Sequence, residues 1–257
     1  MIKSTHHTAY YTQQRELCLL ILILLGSADL ILIILHPISK LGGIGDQFDI
    51  TREGGYAEFF QYVKEFWCVV LLLLITRQTR HIGYLVWVFL FGYLLLDDML
   101  EIHETGGGWL ATHVSFEPGF GLRAKDLGEL TVTFSVAVVL LLALGLTYWH
   151  STDHFRKVSI DILILLVGLA FFGIVMDMLH VMFYSLEGIG DGAKILGEAA
   201  GWVEDGGEML VMSLMVWYFF LMVDQRRPDF FLWQSLRIPL PEALYQLPSS
   251  SKVKTLK

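Results

Sequence analysis

The chain has 257 residues, 54% of them hydrophobic and 17% charged, with a mean hydropathy of +0.57. That is too apolar for a soluble domain of this length and predicts an all-α polytopic integral membrane protein, a bundle of six transmembrane helices. The formal net charge of −8 gives no support to a nucleic-acid partner, because many acids sit in or beside apolar runs while Lys and Arg lie mostly in loops and the tail.

The predicted spans, each long enough at about 1.5 Å per residue to cross a ~30 Å hydrocarbon core, begin with residues 16–36. Leu17 to Leu25 followed by Gly26-Ser27-Ala28 resembles a signal-peptide core and cleavage site, but the apolar run resumes at Leu30 and predicts a retained helix. The second span is 57–76, and the link Arg77-Gln78-Thr79-Arg80 leads into the third, 81–104. The fourth, fifth and sixth are 127–149, 158–184 and 198–224. All six prolines, Pro37 first among them, fall at or beyond these predicted ends. The basic link around Arg77 and Arg80, the one around Arg156-Lys157, and Arg226-Arg227 share one side in a six-span count, so both termini are expected in the cytoplasm. Residues 1–228 read as one transmembrane domain. Residues 229–257 read as a cytoplasmic tail lying partly on the membrane surface, with a disordered end. Cys18 and Cys68 lie within apolar runs and read as small core residues.

Ionisable groups at membrane depth are costly unless paired, protonated, hydrated or metal-bound, and so mark function. Here they recur: Asp97, Asp98, Glu101 and Glu104, then Asp177 and His180, then Glu204, Asp205 and Glu208. Counted along regular helices these lie roughly 24 to 30 Å from the cytoplasmic end, in one outer layer, with Asp29 near 20 Å and Glu65 near the midplane. Asp97, Glu101 and Glu104 fall at i, i+4 and i+7, a single stripe on a regular helix from which His103 points away unless Gly106-Gly107-Gly108 unwinds the last turn. Asp177 and His180 are at i, i+3, and Glu204 and Glu208 at i, i+4. Carboxylates so close need shared protons or bound cations. The expected answer is a divalent metal (iron, manganese, zinc, magnesium or calcium) held by Asp97, Asp98, Glu101, Asp177, His180, Glu204 and Glu208.

Bundle di-metal proteins project Glu residues and Glu-x-x-His pairs inward from four helices. Here a lone Asp177-x-x-His180 stands in for them. Structural readings compete throughout. Asp29 suits a local Ser, Tyr or backbone partner, Glu58, Lys64 and Glu65 suit one another or neighbouring groups, Glu129 suits the start of its helix, and Glu204-Asp205-Gly206-Gly207-Glu208 suits a re-entrant loop. Gly197-x-x-x-Gly201 suits close helix packing.

The stretch Asp97-Asp98-x-x-Glu101-x-His103-Glu104, with Glu204-Asp205-x-x-Glu208-Met209, resembles a group of uncharacterised bacterial multi-pass membrane proteins. The resemblance implies no activity. The residues themselves predict a metal-dependent enzyme of the bacterial inner membrane, surrounded by membrane lipids and acting on a lipid or apolar small molecule. A cation or proton transporter using the same acids is the first competitor, and a structural or sensory subunit the second. Outward-biased acids and a plainly apolar cytoplasmic half argue against transport.

Overall fold

The computed structural model describes residues 2–117, 122–185 and 191–224, with side chains from residue 17 onward except at 191. The predicted tail, 229–257, and the basic pair Arg226-Arg227 lie outside the described residues. Within them the chain is helical: α1 (Ile2–Lys40), α2 (Tyr56–Thr79), α3 (Tyr84–Leu100), α4 (Ile102–His113), α5 (Ala124–Trp149), α6 (Asp153–Ala170), α7 (Asp177–Ser185) and α8 (Asp191–Asp224). A π-helical stretch, Phe171–Met176, joins α6 to α7. Five stretches are long and apolar enough to cross a membrane: Leu17–Lys40, Tyr56–Thr79, Ala124–Trp149, Asp153–Ser185 and Gly192–Asp224.

The third expected span is the one that differs. Residues 81–104 do not form one helix. The chain leaves α3 at Glu101, which takes a left-handed conformation (φ 50°, ψ 43°), and restarts as α4. A non-glycine residue in that region is disfavoured by about 1–2 kcal/mol, and Asp97 offsets the cost. Its backbone carbonyl accepts from the Glu101 amide, and its Oδ1 accepts from the His103 amide at 2.9 Å, satisfying one of the orphan donors of α4's first turn.

Pro37 also departs from expectation: it lies inside α1, which runs on to Lys40. Proline has no N–H for the carbonyl four residues back, here that of Ile33. Trp202 of α8 supplies the missing donor, its Nε1 lying 3.3 Å from the Ile33 oxygen, while its ring stacks on His36 at 5.9 Å. A proline that would end a helix is thus accommodated by a partner helix.

α8 is the central element, packed by α1, α2, α6, α7 and the π stretch. Of its apolar window 61% is buried, against 6% for α5, which is peripheral and shows Phe134, Val139 and Leu142 outward. The apolar core fills the end of the bundle where short turns join α2 to α3 and α5 to α6. There Leu72, Ile75, Tyr84, Trp87, Phe91, Phe155, Ile162, Met215 and Phe219 are nearly or fully buried, and Phe91 meets Phe219 edge to face at 5.3 Å. Even this end is not plainly apolar. Tyr218 donates to Asp161 Oδ2 at 2.9 Å, and Trp87 Nε1 to Ser159 at 3.1 Å. Cys18 and Cys68 are both buried free thiols, as expected of core residues.

The connection between α1 and α2 folds around Asp49. Its Oδ1 accepts from the Thr51 amide (3.1 Å) and hydroxyl (2.8 Å) and faces His36 Nδ1 (2.9 Å), and Lys40 Nζ sits 2.6 Å from Oδ2. Burial alone would raise this carboxyl, but the hydrogen bonds from Lys40 and Thr51 outweigh it and hold the group below the ordinary carboxylate value. A group depressed in the folded state lends stability above its unfolded pKa, and loses it as the pH falls through the lower, folded value. The protection factor of the Thr51 amide, its exchange relative to an unfolded chain at the same pH, should therefore stay high at neutral pH and fall below about pH 4. Asp49→Asn should speed that exchange at neutral pH and flatten its acid dependence. Undiminished protection of Thr51 in the wild type at about pH 2 would rule this out.

Candidate metal centre

At the opposite end, α7 and α8 run antiparallel, and glycines of α8 form seats for side chains of its neighbour. A Cβ added at Gly201 would stand 2.9 Å from His180 Cε1, and one at Gly197 2.9 Å from Tyr184 Cδ2. The same register puts Asp177 opposite Glu204. It also seats Phe172 on Gly207, and Glu208 of α8 in the space left by Gly173 of the π stretch. Gly197-x-x-x-Gly201 is therefore a packing motif with a second effect: it lets the Cε1 edge of an imidazole approach α8 closely.

Asp177, His180 and Glu204 converge, each offering one ligand atom, with these atoms all within 4.8 Å of one another. His180 Nδ1 lies 3.0 Å from Glu204 Oε2. The His180 and Glu204 side chains keep 28% and 17% exposure, so a small ligand can reach them. Asp126 and Glu129, at the head of α5, are the next carboxylates within electrostatic range of Asp177. Two carboxylates and one imidazole from two rigid helices form a three-ligand, open-sided set, the type that suits a catalytic metal with a free coordination position.

The remaining expected ligands lie elsewhere. Asp97 is buried and occupied by Tyr93 and His103, whose Nδ1 is 3.1 Å from its Oδ2. The break at Glu101 brings His103 back to Asp97, whereas the glycine run unwinds nothing. Gly106 and Gly107 instead pack α4 on α5. Glu101 is exposed at the left-handed turn. Glu104 joins Glu129 around Lys125, at 3.2 and 3.1 Å. The i, i+4, i+7 stripe thus does not form, because it required an unbroken helix. Asp98 lies within electrostatic range of Glu65, and Glu208 within range of both. The residues between Glu204 and Glu208 are helical, so no re-entrant loop interrupts α8.

Three residues outside the expected set matter. Lys64 pairs with Asp29 rather than with Glu58 or Glu65, both side chains being fully buried at 3.0 Å. Glu65, one residue further along α2, is left without that cation. Gln61 lies one turn outward on the same buried face. Their signal in the sequence was polarity inside an apolar run, which gives no partner.

No curated protein and no solved structure matches the chain. A family model described as a domain of unknown function matches residues 17–223, from the apolar part of α1 to the end of α8, and so takes in every candidate ligand. The chain belongs to that family, DUF8692.

Proposed function

We propose that Asp177, His180 and Glu204 hold a divalent transition metal, and that the protein is an integral membrane metalloenzyme acting on a lipid or apolar small molecule. The observation that carries this reading is the convergence of these three donors from α7 and α8. A mixed oxygen and nitrogen set suits iron, manganese or zinc. The open side would admit water, which a bound metal activates as a nucleophile near neutral pH. Hydrolysis of an ester-type bond at the membrane surface is the reaction class this supports.

The same reading takes α3, about 25 Å long, as a sixth and short crossing, with both termini cytoplasmic by the basic links at Arg77, Arg80 and Arg156, in a bacterial inner membrane. It places the triad in the outer half of the bilayer. A second reading, cation or proton transport, draws on one observation, the buried Asp161–Tyr218 pair in the half expected to be apolar.

Zinc titration of the full chain in detergent should show one tight site per chain. His180→Ala and Glu204→Ala should each weaken it at least about 10-fold, with circular dichroism unchanged. Tight zinc binding that survives both substitutions would overturn the assignment. Proteoliposome cation flux abolished by Asp161→Asn would favour transport instead.

A further inference from the structure

A groove of about 360 Å³ opens between α1 and α2 and is floored by α8. Leu24 and Leu25 form one wall, Trp67 and Leu71 the other, and Val216 and Phe220 the floor; among the described residues no polar atom faces it. Its shape follows from which helices touch. α1 and α2 both pack on α8 but barely meet each other. Trp217 Nε1 donates to the Cys18 carbonyl at 3.1 Å, which seals α1 to α8, and Cys68 against Met212 at 3.8 Å seals α2 to α8. Lys64 and Asp29, 3.0 Å apart, bridge α2 and α1. Asp29 stands one turn beyond Leu25, and Lys64 about one turn before Trp67, so this buried ion pair forms the outer end of the groove. What stays open is a lateral slot between two helices of membrane-crossing length.

The occupant follows by elimination. At ~30 Å³ each, about twelve waters would match the volume, but a confined water needs several polar partners and the walls supply none. An extended peptide would bring amide and carbonyl groups that no lining atom can satisfy. One turn of an α-helix, about 5.4 Å tall and 10–12 Å across, already exceeds the space. A hydrocarbon chain is thin, needs no polar partner and surrounds every membrane helix. We propose that the groove holds one acyl chain of a phospholipid, taken sideways from the bilayer, as a wedge between α1 and α2 beneath the Lys64–Asp29 pair. This rests on the membrane-spanning part of the proposed function and not on the triad metal. Lipid tails are as apolar as the walls, so the chain is retained by close contact on three sides rather than by the hydrophobic effect. Recognition is therefore of the chain and not of its headgroup.

The test is photolabelling of the full chain in dioleoyl phosphatidylcholine vesicles that carry a trace of phosphatidylcholine with a diazirine in its acyl chain, the adducts being mapped by mass spectrometry. Trp67 is 39% exposed, whereas Phe134 and Leu142 on the outer face of α5 are 72% and 63% exposed. Random contact with bulk lipid would therefore mark α5 more than Trp67. A held chain should instead mark Trp67 at least about 5-fold more than either, and equally when the same chain is carried by phosphatidylglycerol. Leu24→Trp, at the exposed rim, and Leu71→Trp, deeper in the wall, should each fill the slot and remove the excess, while Leu142→Trp should leave it. Trp67 marked no more than α5 would overturn the proposal, whether bulk lipid, a second copy of the chain or its own tail covers the groove. A chain that stays in solution without detergent would overturn the membrane reading as well, which separates the two failures.

Discussion

Replacing Lys64 by Met should destabilise the protein by about 3–5 kcal/mol, the range observed when one member of a buried ion pair is removed. Lys64 and Asp29 are both fully buried, 3.0 Å apart. The Lys64 ammonium also donates to the Met209 carbonyl and lies 4.9 Å over the Phe60 ring, and Ser213 donates to Asp29 Oδ2 at 2.5 Å. One cluster therefore joins α1, α2 and α8, and the single substitution strands the Asp29 carboxylate away from water. Asp29→Leu alone should be comparably damaging for the converse reason. The double variant Lys64→Met, Asp29→Leu should recover much of the loss, because an apolar replacement of a whole buried pair is often neutral. Unfolding in sodium dodecyl sulfate, followed by circular dichroism, measures all four corners of the cycle. If Lys64→Met alone falls within about 1 kcal/mol of wild type, the pair does not hold the helices together.

The second large effect is at the crossing of α4 and α5. A Cβ at Gly107 would collide with the Glu129 amide and stand 2.7 Å from its Cα, and one at Gly128 would collide with the Gly107 carbonyl oxygen. Both obstacles are backbone, which cannot rotate aside as a side chain can. Gly107→Ala and Gly128→Ala should therefore push the helices apart, at a penalty near or above the usual 1–3 kcal/mol for overpacking. They should also loosen Lys125 from Glu104. Gly106 faces only Val132, 3.2 Å from its added Cβ, and Gly108 has nothing within 4 Å. Gly108→Ala should consequently be neutral or stabilising by up to about 1 kcal/mol, through helix propensity alone. The order 107 worst, 106 intermediate, 108 harmless is the signature to look for in thermal unfolding. Equal effects at all three would mean that α4 does not cross α5 here.

Much of the architecture was legible because membrane-length apolar runs are a strong signal: α2, α5 and α8 begin within seven residues of their predicted starts. The errors came where a single residue's backbone decided the outcome. Nothing in Leu96 to Glu104 announces that Glu101 turns left-handed, since the stabilising contact is an aspartate bonding an amide six residues later. In the sequence Pro37 looks like a helix end because its rescuer, Trp202, is 165 positions away. Helical rise alone gives each acid an expected depth. Which acid meets which required the packing, since Lys64 chose Asp29 over two carboxylates on its own helix. The spacing of Gly197 and Gly201 marks a packing face, but the seat that Gly201 makes for His180 depends on which neighbour packs there.

The π-helical stretch Phe171–Met176 sits immediately before Asp177. A π turn takes up one more residue than an α turn, and each residue of an α-helix turns about 100°. Were these same residues to wind as a regular α-helix, with none removed, everything after them would therefore swing around the axis by about one residue's turn. Asp177 and His180 would come to face a different neighbour while Glu204 stayed where it was. The angular setting that lets the two helices share a ligand is thus written in the length of an irregular turn, and not in the identity of the groups that follow it.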